Sequence, residues 1–332
     1  MSLVTLNKKS KVPKYKQIIA SIEDAVQNGT LKKGDKLPSI NSLRDTYKLS
    51  RDTVLMAFNE LKNRGIIHSV VGKGYYLSSE NVSVSQKIFL LFDEFNAFKE
   101  DLYNSFLSNL DANIKVDIYF HHFNSKIFNA LILDNIGDYN HYIIMPANLE
   151  NTDLVLENLP KEKVFILDQL NPELKAYSSI FQNFEKNILT GLDKVKDKLL
   201  NYAKLILIYD KKIQPKAMLN GFEKFCKKEN FESEVIDTLT SREIAKGEVY
   251  IIPEDKNLIK IIKKIKETKL ILKKDIGIIC YNDTMLKEIV EGGITTISTD
   301  FAEMGKNLAS ILTNKEKVQI ENPTKIIVRN SL

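Results

Sequence analysis

The chain has 332 residues, 43% apolar and 27% charged, which calls for two or three folding units and excludes a fibrous or low-complexity protein. No apolar run approaches the roughly 18 residues needed to cross a bilayer, and the start, MSLVTLNKKSK, lacks the apolar core of a secretory signal, so export is not expected. Residues 1–80 hold 14 basic and 7 acidic side chains, against 34 and 36 in the remainder, so a polyanion partner is expected for the amino-terminal end alone.

In chain order, Pro13 opens a helix with Ile18, Ile19, Ile22, Ala25 and Val26 at helical spacing, and Gly29 stops it. LKKGDKLP reads as a short extended arm and turn, broken by Gly34 and Pro38. Ser39 caps a second helix to about Tyr47, and after only Lys48 and Leu49, Ser50 caps a third. That third helix carries Val54, Ala57, Phe58 and Leu61 as one apolar stripe and ends at Gly65. GIIHSVVGKGYYLSS reads as two short strands joined by a glycine-bearing tip. Residues 80–86, ENVSVSQ, carry no pattern and form the expected linker between a 4–79 domain and an 87–332 domain.

From Lys87 short, nearly continuous apolar runs alternate with amphipathic helices. The runs are 87–93, 115–120, 142–146, 163–168, 205–210, 249–253, 276–281 and 325–329. Runs without alternation fit strands buried on both faces, and intervening helices fit crossovers of parallel sheets. Ligands of such sheets bind beyond the carboxyl ends of the strands. Those ends offer Asp93, Phe95, Phe98, Asn148, Asp168, Asp255 and Asn282, a set suited to a polyhydroxylated or otherwise polar ligand. Asp283 reads as the cap of the helix that follows it, and His121 and His122 follow a strand without a metal-type pattern.

Three helices and a two-stranded wing give the order of a winged helix-turn-helix. Its third helix needs one face pinned to a small core and the other free for the major groove. Here Val54, Phe58 and Leu61 are expected to pin it to Leu37, Leu43, Leu49, Ile66 and Ile67. Residues 13–77, through PKYKQI, NGTLKKGDKLPS, LSRDTVLMAFNELKNRGII and GKGYYL, resemble the DNA-binding domain of the GntR family of bacterial transcriptional regulators. The resemblance implies DNA contacts from Asn41, Ser50, Arg51 and Thr53 and from the wing at Gly72 and Lys73, and Ser39, Leu55, Met56 and Tyr75 complete the expected DNA-binding set. Many relatives carry Glu-Arg where this chain has Ile40-Asn41, and an arginine where it has Leu55. Asn41 can instead pair with adenine, and Leu55 or Met56 can touch thymine methyls, so an A·T-leaning operator is expected.

The carboxyl-terminal stretch DIGIICYNDTMLKEIVEGGITTISTDFAEMGKNLASIL, then IIVRNSL, resembles the effector domain of the lactose-repressor and periplasmic sugar-binding-protein superfamily. LILIYDKKIQPKAMLNGFEKF resembles that superfamily's strand-loop-helix, with Met218 where a ligand-clamping arginine commonly stands. The resemblance implies two α/β lobes joined by three crossings, with a ligand cleft at the hinge. The expected lobes are about 87–202 with 298–322, and about 203–297 with 323–332.

The expected function is a cytoplasmic, dimeric, sequence-specific DNA-binding regulator. A small polar effector, a carbohydrate among the candidates, would tune its affinity. The alternatives are an orphan DNA-binding dimer without ligand and an enzyme tethered to nucleic acid. No G-x-S-x-G, H-E-x-x-H or phosphate-binding loop is present, so no catalytic residue, metal or cofactor is expected. Cys226 and Cys280 read as buried thiols of a reducing compartment.

Overall fold

The structure, a computed structural model, describes residues 3–7, 9–78, 86–111, 114–240, 242–312 and 317–332. All but Gln86 of the expected linker lies outside the described residues.

The amino-terminal unit holds α1 (Lys14–Gln27), α2 (Ile40–Tyr47), α3 (Arg51–Asn63), β1 (Ile67–Val70) and β2 (Gly74–Leu77). Ser39 and Ser50 cap α2 and α3, each hydroxyl accepting from the backbone N–H three residues on. The three-residue turn between these helices closes because Lys48 takes a left-handed conformation, φ 53°. Val54, Ala57, Phe58 and Leu61 are fully buried against Ile18, Ile22, Leu37, Leu43 and Ile67. Burying a phenylalanine and three aliphatic side chains on a 13-residue helix supplies several kcal/mol, at about 1.5–3 kcal/mol for each large side chain. The 32–37 arm joins the wing: Leu37 N–H donates to Tyr75 O and Leu77 N–H to Asp35 O, at 2.9 and 3.0 Å.

The remainder is two six-stranded sheets flanked by helices. In chain order the first lobe holds β3 (Lys87–Phe92), α4 (Ala97–Ser108), β4 (Lys115–Phe120), α5 (Ser125–Asp134), β5 (His141–Ile144), α6 (Thr152–Leu156), β6 (Val164–Asp168) and β7 (Ser178–Phe181). The second lobe holds α7 (Phe184–Lys194), α8 (Lys196–Leu199), β8 (Lys204–Ile208), α9 (Lys216–Glu229) and β9 (Glu232–Ile236). It continues with β10 (Glu248–Ile252), α10 (Asp255–Glu267), β11 (Ile276–Tyr281), α11 (Met285–Ile289) and β12 (Thr295–Thr299). The chain then returns to the first lobe for α12 (Phe301–Ile311) and β13 (Gln319–Glu321), and ends with β14 (Thr324–Ile327) in the second.

The strand orders are β13-β7-β6-β5-β3-β4 and β14-β12-β11-β10-β8-β9. Every pairing within them is parallel except β12–β14. The central strands are buried on both faces, with a separate apolar core on each side of each sheet, which accounts for their unbroken apolar runs. Two helix pairs pack at backbone contact. A Cβ at Gly305 of α12 would lie 2.4 Å from Leu102 O of α4, and one at Gly221 of α9 would lie 2.5 Å from Glu185 O of α7.

The chain passes between the lobes at Gln182–Asn183, at Asp300 and at Asn322–Pro323. Asn322 ties the three passages together, its backbone N–H donating to Phe181 O and its Nδ2 to Asp300 O, both at 2.8 Å. Because α7 packs on α9, β12 and β14, residues 184–199 belong to the second lobe, and the first passage falls about 20 residues before the expected boundary at 202. The amphipathic stripe of α7 is readable in sequence, but not which sheet it covers.

The two units meet along a seam between α1 and the loop before β5. Lys16 forms an ion pair with Asp138 and donates to Ile136 O at 3.2 Å. Lys11 donates to the Asn158 side chain. Gly137, at φ 81°, lies so close that a Cβ would come within 2.8 Å of Val12.

Candidate DNA interface and interlobe cleft

The first turn of α3 exposes Ser50 and Arg51, with Thr53 half-buried. The Ser50 hydroxyl is engaged with the Thr53 N–H and hydroxyl at 3.1 and 2.8 Å, so it fixes the turn. That helix end carries a partial positive charge suited to a phosphate. Asn41 and Ser39 are exposed beside it, Met56 is 53% exposed, and Leu55 is half-buried. The wing leaves Gly72 and Lys73 exposed at its tip. Gly72 needs its glycine, at φ 76°. Tyr75 differs from expectation. Strand alternation puts it on the side of buried Leu77, and its ring meets Phe58 edge-on at 4.8 Å, facing the core rather than a groove. Tyr76 takes the opposite side, stacked on His68.

The cleft between the lobes has a volume of about 320 Å³. Seven of the eight expected effector residues line it: Asp93, Phe95, Phe98, Asp168, Met218, Asp255 and Asn282. Several strand ends around it take left-handed backbone, including Asp168 (φ 72°) and Asn282 (φ 61°). Such strain collects where a fold must aim particular side chains.

Asn148 is the exception. It bridges the lobes, its Nδ2 donating to Gln214 O at 2.5 Å while its Oδ1 accepts from Gln169 Nε2 at 3.1 Å. It therefore walls the cleft off from a more open groove of about 650 Å³ on the far side. Met218 lines the cleft from the first turn of α9 but is 98% buried in the core with Phe184 and Phe222. It offers a floor and no hydrogen bond.

Polar residues with no sequence signal of their own complete the walls. Lys99, buried on α4, pairs with Asp93. Burial lowers its pKa to about 8, against the pull of the nearby Asp168 charge. Burial raises the Asp168 carboxyl above its usual range, although Lys99 and a 2.6 Å bond from Gln182 Nε2 oppose the shift. Gln182 Oε1 accepts from the Tyr281 hydroxyl at 3.1 Å, linking the first passage to the second lobe. Gln214 Nε2 donates to Glu254 at 2.6 Å. Lys287, 99% buried behind Asn282, donates to Asp255 at 2.8 Å and to the Asn282 carbonyl at 2.7 Å. Asn282 is 92% buried, yet its Oδ1 has no hydrogen-bond partner.

Thr284, not Asp283, caps α11. Asp283 instead forms a two-pronged ion pair with Arg329 at 2.6 and 2.8 Å and accepts from Thr296. His121 is buried, hydrogen-bonded to Met145 O, and burial lowers its pKa to about 4. Among the described residues no group of three or more His, Cys, Asp or Glu is placed to hold a metal ion. None of the described helices is long and apolar enough to cross a membrane.

Residues 14–77 match the family described as bacterial regulatory proteins, gntR family. The amino-terminal unit is therefore a gntR-type helix-turn-helix domain. Curated relatives include the HTH-type transcriptional repressor YtrA of Bacillus subtilis, 36% identical over 76 residues, which are 23% of this chain and 58% of YtrA. Another is the mannosyl-D-glycerate transport/metabolism system repressor MngR of Escherichia coli, 35% identical over 82 residues, 25% of this chain and 34% of MngR. The chain spans 14%, 58% and 15% of the lengths of three such relatives. A LacI family transcriptional regulator from Silicibacter pomeroyi superposes with a TM-score of 0.62 at 11% identity, over 74% of this chain and 98% of its own. The two-lobed part thus has the fold of LacI-type regulators.

Proposed function

We propose that this chain is a sequence-specific, DNA-binding transcriptional regulator whose operator affinity is set by a small polar ligand held between its two lobes. One observation carries this: an exposed α3 amino terminus and wing, on a basic unit, are coupled in one chain to a cleft with prepared polar walls. Arg51 takes a guanine edge or a phosphate, Lys73 the backbone or minor groove, and Asn41, Leu55 and Met56 read A·T pairs. Asp93, Asp168, Asp255 and Asn282 hold the ligand, with Phe95 and Phe98 at its apolar faces. The named biology of MngR supports a sugar-type compound as one candidate.

A ligand that favours one lobe arrangement changes the placement of the DNA-binding units by no more than its differential affinity for the two arrangements. We further place the protein in the cytoplasm as a homodimer, since paired winged units read paired half-sites. Met285, Leu286 and Ile289, exposed by 84%, 50% and 76% on the second lobe, support a self-association face there. We read the protein as a regulator rather than an enzyme, because Asp93, Asp168 and Asp255 of the cleft are neutralised by Lys99 and Lys287 rather than set beside a nucleophile.

Selection of bound duplexes from random sequence, with and without candidate ligands, tests this. A common half-site motif is expected. Failure to enrich any duplex at low salt refutes the proposal.

A further inference from the structure

The charge of the cleft walls is lopsided. Five carboxylates line it, Asp93, Glu94, Asp168, Glu254 and Asp255, against two ammonium groups, Lys99 and Lys256. Only Lys99 is withdrawn from a ligand. Lys99 is buried and held by Asp93 with Asp168 behind it, and Lys256 is exposed to solvent. On the acidic side there is a surplus. Asp93 and Asp168 share one ammonium, and Asp255 is matched by Lys287. Glu94 and Glu254, on opposite lobes, have no ion-pair partner among the described residues, only side-chain amides at 3.3 and 2.6 Å. Asn282 adds a buried oxygen with no donor among the described residues, and a buried acceptor left unpaired costs free energy. Phe95 stands at the cleft 58% exposed, and an aromatic face there attracts a cation.

Resting on the regulator reading above, we infer that the ligand is a small organic cation, a protonated amine carried among hydroxyl or amide donors, and neither a neutral sugar nor a sugar phosphate or acid. The ammonium donates charge-assisted hydrogen bonds to Glu254 and Glu94, a neighbouring donor serves Asn282 Oδ1, and the carbon frame lies against Phe95 and Met218. An anion meets the unpaired Glu94 and Glu254, with exposed Lys256 the one lining cation outside an ion pair among the described residues.

The test is calorimetric titration of the full chain with matched trios: glucosamine, glucose and glucuronate, then putrescine, butanediol and succinate. At least one amine is expected to bind about tenfold or more tightly than its neutral partner, the factor that about 1.4 kcal/mol of charge-assisted bonding gives. The acids are expected to give no heat. Glu254→Gln should weaken the amine about tenfold, and Glu94→Gln gives an independent measurement from the other lobe. Tighter binding of a neutral or acidic member, abolished by Asn282→Leu, overturns the amine assignment but leaves the effector reading standing. A loss in Glu254→Gln shared equally by amine and neutral partner overturns it as well. If no compound of either trio binds to protein that still binds DNA, the amine assignment and the effector reading both fall.

Discussion

Replacing Lys73 by Ala isolates one contact of the wing. Its side chain stands exposed at the tip between two glycines, with no ion pair among the described residues, so its removal disturbs little packing. If it neutralises one phosphate, the slope of log K against log salt falls by about 0.9. Between 50 and 200 mM salt, a fourfold change, the ratio of wild-type to variant affinity then shrinks by about 3.5-fold. The deficit should be nearly the same for the best operator and for unrelated duplex, because a phosphate contact carries no sequence information. Fluorescence anisotropy with labelled duplexes over five salt concentrations gives both quantities. A slope equal to wild type shows that the wing does not reach the backbone. A deficit confined to one sequence shows that Lys73 reads a base edge.

Duplexes selected by the wild-type protein should have A·T-rich half-sites, and Asn41→Arg should shift them toward G·C; G·C-rich wild-type sites would contradict the assignment of Asn41, Leu55 and Met56. Asp283→Asn should destabilise the second lobe near neutral pH. Burial alone raises that carboxyl, but Arg329 and Thr296 outweigh it and hold it below the usual range. The contribution is therefore present above the unfolded value of about 4 and lost as pH falls through the lower folded value. Denaturant midpoints of the two proteins should converge in acid, and a pH-independent gap would mean that the pair acts through shape alone. Gly305→Ala forces a methyl into Leu102 O and should lower stability by about 1–3 kcal/mol, whereas an unchanged urea midpoint would show that α4 and α12 move apart freely. Ile289→Asp should convert a dimer to a monomer in sedimentation while leaving the fold intact by circular dichroism; a dimer that survives it assembles elsewhere.

The amino-terminal unit was legible because each of its signals is local. Ser39 and Ser50 are caps three residues from the N–H groups they serve, and the Val54–Leu61 stripe is fully buried as its spacing requires. Tyr75 turns toward the core through a strand parity that becomes visible once Leu77 is known to point inward. The central strands of both lobes were legible as apolar runs for the same local reason. Four strands were not among those runs. Glu232–Ile236 lies at an edge with one face in solvent, Ser178–Phe181 and Gln319–Glu321 are three or four residues long, and Thr295–Thr299 is buried but built from threonine and serine. The cleft was legible as a set of strand ends, because sheet topology gathers them whatever the side chains. Its electrostatics were not, because Lys99, Gln182, Gln214 and Glu254 acquire meaning only from neighbours far along the chain. Asn148 shows the limit best: its place at a strand end is local, but its bond to Gln214 depends on how two lobes stand together.

The seam at Lys16 and Gly137 joins the amino-terminal unit to the first lobe. Under the proposed reading, a ligand that turns the second lobe about Asn322 leaves this unit riding on the first. A few degrees of rotation at the hinge, carried along such an arm, become a displacement of ångströms at α3. In that reading, the gearing between chemical signal and duplex is set far from both, by a glycine that admits a valine and a lysine that finds an aspartate.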